Sequence, residues 1–289
     1  MRYLENALKF TFTNFLLTLP LLISMAIPAF IMNIGTMGFN AKLMQKYQQL
    51  IQEMVSNNGQ YYGFDQSFLG NLVSTRMIVC IIAASLLYIF FAIIIYPATY
   101  GLINKKYETG SANFSDFTAG LSKYIGRFIQ YGLLSIAINI GTMLVLTILI
   151  GIGVVICISV NKVAGILLII LFCMAYFVGV IALSIYMSLW FPAVCVEDSG
   201  IIQGLKNSFK NVKGSFWLIF GITLLISLSG NIAGSMFSLF PFIGSIIASV
   251  ISMLTEYVKI IFRFEIYREK TGRFYNPDPG NFQQINGEV

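Results

Sequence analysis

Between Ile129 and Val194 the chain carries a single charged residue, Lys162. A water-soluble domain spreads charges over roughly a quarter of its residues, so a soluble fold has nowhere to put such a stretch. Lys162 divides it into two apolar runs, 129–159 and 163–194, each longer than the ~20 residues that cross a bilayer core as a helix. Tilting, or extension beyond the hydrocarbon, takes up the surplus. Four further apolar runs fall at 14–35, 77–96, 216–234 and 242–264. The rest of the composition agrees, with 57% hydrophobic residues, 10% charged residues and a mean hydropathy of +0.80. The predicted fold is therefore all-α: a polytopic membrane protein of six transmembrane helices, arranged as three hairpins with interfacial amphipathic helices. A single membrane domain covers 1–273, and 274–289 is read as a polar cytoplasmic tail without periodicity.

Each hairpin is preceded by a short stretch with an apolar stripe. Leu4, Leu8 and Phe12 share one side of a helix, with Glu5 and Lys9 elsewhere. Phe114, Phe117, Leu121, Tyr124, Ile125 and Phe128 form the second stripe, and Ile201, Ile202, Leu205, Phe209 and Val212 the third, with Ser199 as its candidate cap. Such segments lie in the membrane interface. The N-terminus is read as a retained span, because Glu5 interrupts the basic region and the apolar run exceeds a signal core of ~7–15 residues. Pro20 and Pro28 predict kinks in it. The connection 36–75 is expected to hold a separate helix from Asn40 to Ser56, stopped at Asn57-Asn58-Gly59 and followed by interfacial Tyr61, Tyr62, Phe64 and Phe68. That helix rests on the outer leaflet or receives a partner. Span two is expected to end at Pro97, and Trp190, Pro192, Phe216 and Trp217 to mark span boundaries. Phe240-Pro241 marks an outer turn.

The basic residues set the orientation. With six spans, the side bearing the termini holds fourteen of the 18 Lys and Arg residues, and the other side holds only Lys42, Lys46, Arg76 and Lys162. The positive-inside rule then places both termini in the cytoplasm. The net charge of +6 sits at span ends rather than in a dense patch, which argues for a bilayer partner and against nucleic acid.

The chain also repeats itself. ALKFTFTN from Ala7, GLSKYIGR from Gly120 and GLKNSFKN from Gly204 align, and Asn33-Ile34-Gly35-Thr36-Met37 recurs as Asn139-Ile140-Gly141-Thr142-Met143, with a looser copy from Asn231. The spacing from Leu8 to Asn33 is 25 residues and from Leu205 to Asn231 is 26, but from Leu121 to Asn139 only 18. The middle unit is thus shifted by about two helical turns. The segments PAVCVEDSG-IIQGLKNSFKNVKGSFW, PATYGLINKK with FSDFTAGLSKY, and FRFEIYREKTG resemble an uncharacterised six-span integral membrane protein family of low-GC Gram-positive bacteria. That family is similar to the membrane domain of some glycerophosphodiester phosphodiesterases. The resemblance implies six spans and a bacterial plasma membrane. It does not imply phosphodiester hydrolysis, which in the resembled proteins resides in a separate domain with no counterpart in these residues.

Chemistry has few places to reside. The chain has no histidine, the commonest general base and metal ligand. It lacks a Walker motif, a nucleophile elbow and a Cys/His cluster. Cys80, Cys157, Cys173 and Cys195 lie in or beside apolar runs without CxxC spacing and read as packing residues. No catalytic residue, metal or cofactor is predicted. Glu256, Lys259 and Arg263 form a candidate intramembrane charged site at spacings of three and four on span six, and an intramembrane carboxylate is costly enough to suggest function. The plainer reading pairs Glu256 with Lys259 near the inner headgroups. Asn33, Asn139 and Asn231 are candidate interhelical polar residues, and Gly230 with Gly234 forms a GxxxG suited to packing within the chain or between chains. Glu197 and Asp198 are expected near a helix N-terminus, favoured by its dipole. Lys123, Arg127, Lys206, Lys210 and Lys213 are candidate lipid-headgroup contacts, so anionic lipids and a membrane-protein partner such as an exporter are the candidate partners. The functional expectation is a non-catalytic membrane module accessory to an export or lipid-related complex. The alternative is a transporter or permease for a small or amphipathic molecule.

Overall fold

The computed structural model describes residues 2–56, 74–238, 240 and 243–273. Every regular element among the described residues is helical. They are α1 (Arg2–Thr13), α2 (Leu19–Ser56), α3 (Thr75–Thr109), α4 (Phe114–Ser159), α5 (Lys162–Met187), α6 (Trp190–Glu197), α7 (Ile201–Val212), α8 (Phe216–Ser238) and α9 (Ile243–Lys270), with a 3₁₀ turn over Phe15–Thr18. Five stretches are long and apolar enough to cross a membrane: Phe15–Thr36, Thr75–Thr109, Phe114–Ser159, Lys162–Glu197 and Phe216–Phe237. The described part of the apolar run 242–264, from Ile243 on, falls within α9, which is not among the five. Glu256, Lys259 and Arg263 interrupt its second half, and Glu265, Arg268, Glu269 and Lys270 close it. The expected stop at Asn57-Asn58-Gly59, the aromatics Tyr61, Tyr62, Phe64 and Phe68, Pro241 of the outer turn, and the tail 274–289 lie outside the described residues.

The helices are longer than the expected spans, and each fusion has a local cause. The separate helix expected from Asn40 is continuous with span one in α2. No proline follows Pro28 there, and Ala41, Lys42, Leu43, Met44 and Gln45 are strong helix formers. Pro20 does not kink this helix. It stands in the first turn, where its missing N–H would be unpaired anyway. Span two does not end at Pro97, because α3 runs through it to Thr109. The proline removes one backbone bond and does not stop the helix. The second amphipathic stripe and span three are a single helix, α4. Its start is fixed by Asn113, whose backbone N–H donates to Asp116 Oδ2 at 2.8 Å. The chain turns at Val160 and Asn161, just before Lys162 opens α5, and Asn161 Oδ1 accepts from the N–H groups of Val163 (2.8 Å) and Ala164 (3.2 Å) to cap α5.

The chain divides into two compact units. The first holds 1–14, 97–226 and 258–289, and the second 15–96 and 227–257. In the second unit α2 approaches α3 where Gly35 faces Cys80, and α8 approaches α9 where Gly230 faces Thr255 and Gly234 faces Ala248. The GxxxG of α8 is therefore used within the chain.

The first unit is closely packed at one end only. Along the apolar spans the side chains face outward, as with Leu133, Leu144, Leu171 and Phe177. Beyond them Ala98, Ile103, Leu189, Trp190, Ala193, Val194, Ile260, Phe264 and Tyr267 are fully buried. Phe191 packs edge-on against Tyr100 (4.8 Å between ring centres) and Phe128 (5.2 Å), and Tyr131 edge-on against Trp190 (4.9 Å). Trp190 is thus no interfacial anchor. Its indole N–H donates to Ile201 O at 2.7 Å, which ties α6 to the start of α7. Helices α3 and α4 cross at two glycines, where a Cβ on Gly101 would lie 2.6 Å from Gly120 Cα.

The aligned repeat segments bury the same two positions. These are Ala7 and Thr11 in α1, Gly120 and Tyr124 in α4, and Gly204 and Ser208 in α7. In α7 the buried face is Ile201, Gly204, Ser208 and Val212, so the expected stripe is rotated. Ile202 looks outward instead, and Phe209, 39% exposed, stacks one side of its ring on Tyr186 at 5.1 Å. The small residue decides this, because Gly204 lets α7 seat its backbone directly on Val194 of α6.

Candidate functional site

Two groups of polar side chains gather at the packed end of the first unit. The first surrounds the C-terminus of α6, whose last carbonyls have no partner within the helix. Tyr124 Oη donates to Cys195 O at 3.2 Å, and Arg273 donates to Val196 O. Glu197 accepts from Tyr267 Oη and from Asn207 Nδ2. Asp198 follows in a left-handed conformation (φ 51°), accepts from Arg127, and pairs with Lys123 at 3.3 Å. The hydrogen bond from Arg127 holds the Asp198 carboxyl below its usual range. Burial, and then the bond to Glu197, push the Tyr267 hydroxyl up. Glu197 and Asp198 therefore end α6 rather than begin α7, where Gly200 is the cap and Ser199 is not. A helix C-terminus disfavours carboxylates, and the four side chains that donate to or pair with them, Tyr267, Asn207, Arg127 and Lys123, offset that.

The second group is built on α3 and α9. Arg268, 5% exposed, donates to Asn104 Oδ1 at 2.7 Å and lies 3.8 Å from Glu108. Its guanidinium stands 5.2 Å from the centre of the Tyr107 ring. Tyr107 Oη donates to Glu265 at 2.7 Å, and its ring stacks on Phe10 of α1. Burial raises the Glu265 carboxyl and lowers the Arg268 guanidinium, each disfavouring its own charge. Arg2 closes the group on Glu269 at 2.7 Å. A buried cation held by an amide, a distant carboxylate and a ring face is a structural clamp.

The third feature is a cavity of about 290 Å³. Ser135, Asn139 and Thr142 of α4 line one wall, and Leu183, Ser184 and Met187 of α5 another. Phe191 and Pro192 of α6, Tyr100 of α3 and Arg263 of α9 complete it. The break between α5 and α6 at Ser188 and Leu189 lies beside the cavity, with Met187, Ser188, Phe191 and Pro192 in its lining. Several of the polar groups are engaged locally. Asn139 Nδ2 donates to Ser135 O (2.8 Å), Thr142 Oγ1 to Asn139 O (2.8 Å) and Ser188 Oγ to Ile185 O (2.7 Å). Ser135 Oγ is buried without a hydrogen-bond partner. Among the described residues of the lining, Arg263 is the charged one.

Residues 61–269 match the family described as a domain of unknown function, DUF7847. The chain belongs to the DUF7847 family. No curated protein and no solved structure matches it. The DUF7847 match takes in α3 to α8, α9 up to Glu269 and every residue that lines the cavity, and leaves α1 and α2 outside.

The predicted site residues separate, and all but Asn33 lie within the DUF7847 region. Arg263 and Asn139, from different predicted sets, meet at the cavity. Glu256 and Lys259 lie earlier on α9 and do not line it, and Asn33 and Asn231 belong to the second unit. Lys123 and Arg127 are engaged with Asp198, whereas Lys206, Lys210 and Lys213 are exposed on α7. Among the described residues no group of three or more His, Cys, Asp and Glu side chains is placed to hold a metal. Sequence reasoning missed Ser135, Tyr107, Glu265, Tyr267 and Arg268. The last three stand in FRFEIYREKTG, where charges following a span read as inside-positive residues. The available signal was Glu265 and Tyr267 between apolar neighbours that a helix must bury.

Proposed function

We propose that the chain is a non-catalytic integral membrane module of the bacterial plasma membrane, with six spans and both termini in the cytoplasm. It engages anionic lipid at the inner leaflet and works beside a partner such as an export or lipid-related complex. The observation that carries this reading is the two-sided α7. Its inner face (Ile201, Gly204, Ser208, Val212) is locked to the protein, and its outer face presents Ile202 and Phe209 with exposed Lys206, Lys210 and Lys213. A rigidly held helix with apolar and basic residues on the outside suits an interface rich in anionic headgroups. Fourteen basic residues on the same side against four on the other support the orientation, and the resemblance to a Gram-positive membrane family supports the compartment.

The test is retention of phosphatidylglycerol by the full chain in mixed phosphatidylglycerol and phosphatidylcholine nanodiscs. Charge reversal by Lys206→Glu, Lys210→Glu and Lys213→Glu together is expected to lower anionic-lipid enrichment by about fivefold per lysine, given ~1 kcal/mol per basic residue near such a surface. Unchanged enrichment refutes the reading. The cavity favours a second reading, a permease for a small or amphipathic molecule. Flux into proteoliposomes no faster than into empty vesicles counts against it.

A further inference from the structure

The cavity of the first unit is a slot between two polar helix faces that do not bond each other. On α4, Tyr131, Ser135, Asn139 and Thr142 follow at spacings of four, four and three, which keeps them on one face. On α5, Leu183, Ser184 and Met187 line the slot, with Ser188 just past the helix end. Polar groups on adjoining spans ordinarily hydrogen-bond across the contact. Among the described residues none does so here. Asn139, Thr142 and Ser188 instead donate to carbonyls one turn back. Asn139 and Ser184, one on each helix, are exposed, so the slot opens to the side of the spans, where lipid lies. Polar groups at that depth are costly unless something engages them.

The bonds already made decide which ligand fits. Thr142 and Ser188 have given their protons to backbone carbonyls and present lone pairs. Asn139 keeps its Oδ1 and a second N–H. Tyr131 and Ser184 make no side-chain hydrogen bond among the described residues, so each hydroxyl can donate or accept. Ser135 Oγ is buried in the α4 wall, and Tyr100 and Arg263 are engaged within the chain. Among the described lining residues there is no carboxylate to receive an ammonium group. A phosphate only accepts, and it would meet the lone pairs of Thr142 and Ser188. A hydroxyl both donates and accepts, so the set matches an uncharged group that carries several hydroxyls, such as a sugar or glycerol unit. Val180, Leu183, Met187 and Phe191 add apolar surface for its carbon skeleton. At about 290 Å³ the space stands at the lower end of small-molecule sites, ~300–1,000 Å³, and takes a headgroup rather than a whole lipid. Tyr131 and Thr142 follow Arg127 on α4 by about 6 and 22 Å at the helical rise of ~1.5 Å per residue. That is the depth at which a headgroup meets its chains. We propose that the slot binds the uncharged, hydroxyl-bearing headgroup of an amphipathic molecule, held by Tyr131, Asn139 and Thr142 of α4 and Ser184 of α5. This gives the permease reading a ligand class without depending on transport, since binding without flux would refute that reading alone.

The test uses the full chain in phosphatidylcholine nanodiscs doped with monoglucosyl diacylglycerol, with retained lipid counted by native mass spectrometry. Phosphatidic acid, anionic and without a hydroxylated headgroup, is the comparison lipid, and free glucose is the competitor. Wild type is expected to hold one glucosyl lipid about tenfold more tightly than either phospholipid, which two neutral hydrogen bonds suffice to supply. Thr142→Val keeps the shape and removes one acceptor, so it should weaken that site by about two- to tenfold, the worth of one such bond. Ser184→Leu places an apolar side chain in the slot and should abolish the site. If Ser184→Leu does not fold, Thr142→Val decides. The triple glutamate variant of α7 should leave the site intact, which separates this proposal from the lipid reading of that helix. Displacement by millimolar glucose assigns the site to a free sugar, and resistance to it assigns the site to the lipid headgroup. Either result supports the proposal. Equal retention of the three lipids, a preference for phosphatidic acid, or wild-type affinity in the folded variants overturns it.

Discussion

The crossing of α3 and α4 makes a prediction with opposite signs at two glycines. A methyl group on Gly101 would stand 2.6 Å from Gly120 Cα and 3.2 Å from Tyr124 Cδ2. Carbon atoms rest at ~3.5–4.0 Å, so the helices must part by about 1 Å, and overpacking of this kind costs ~1–3 kcal/mol. The neighbours cannot yield easily, because the nearest atom is backbone and Tyr124 is bonded to Cys195 O. Against this, replacing a helical glycine by alanine recovers ~0.8–1.0 kcal/mol of helix propensity. Gly101→Ala is therefore expected to destabilise by a net of up to ~2 kcal/mol. Gly126, one and a half turns further along α4, has nothing within 4 Å of its position for a Cβ. Gly126→Ala receives only the propensity term and is expected to stabilise by up to ~1 kcal/mol. Denaturant titrations of both variants in one detergent, followed by tryptophan fluorescence, read the two signs against wild type. The reasoning fails if Gly101→Ala is as stable as Gly126→Ala.

Two further outcomes concern the end of α6. Tyr267→Phe removes one of the donors to Glu197 without changing shape, and a hydrogen bond to a charged group contributes ~1.5–3 kcal/mol. In a Glu197→Gln background the same change is expected to cost less, which a double-mutant cycle in unfolding free energy measures. Asp198 has a folded-state pKa below its unfolded value of about 3.9. Its contribution is present above that pH and is lost as pH falls through the lowered folded value. Asp198→Asn should therefore destabilise slightly at pH 7, by well under 1 kcal/mol since the carboxylate is half exposed. It should match wild type at a pH below the folded value, and added salt should shrink the difference. A deficit that persists in acid would locate the role of Asp198 in its left-handed turn instead.

The class of the fold was legible because apolar length and charge spacing are direct records of the bilayer. The turn at Asn161 was legible for the same reason: a polar pair between two apolar runs has few other uses. What failed was the division into elements. Thr36 to Asn40 and Ile125 to Tyr131 change from apolar to amphipathic patterning, and a change of pattern resembles an end. A helix ends only where a backbone partner is lost, and neither stretch contains a proline to remove one. The stripe of α7 was misread by one face, because Ile202 and Phe209 outweigh Gly204 and Ser208 in hydrophobicity while the small residues permit contact. The cavity was half legible. Arg263 and Asn139 stood out as polar residues in apolar runs, but Ser135 did not, since a serine in a span normally bonds its own helix.

The uneven packing of the first unit follows from the solvent it faces. Between lipid chains, apolar side chains lose little by parting, so association of spans relies on small residues, shape and hydrogen bonds. Those are concentrated where α3, α4, α6, α7 and α9 meet, and that junction holds Phe191 and Pro192 against the cavity. Two phenylalanines test the point. Phe191 is 2% exposed amid Tyr100, Phe128 and Tyr131, and Phe177 on α5 is 66% exposed. In water, truncating a buried phenylalanine to alanine costs ~3–5 kcal/mol, because a cavity remains. Phe191→Ala is expected to cost that much in nanodiscs and to enlarge the cavity, which the same ring lines. Phe177→Ala is expected to be close to neutral, because lipid fills the place of its ring. If the two cost the same, the spans are held by their apolar faces, and the junction does not organise the protein.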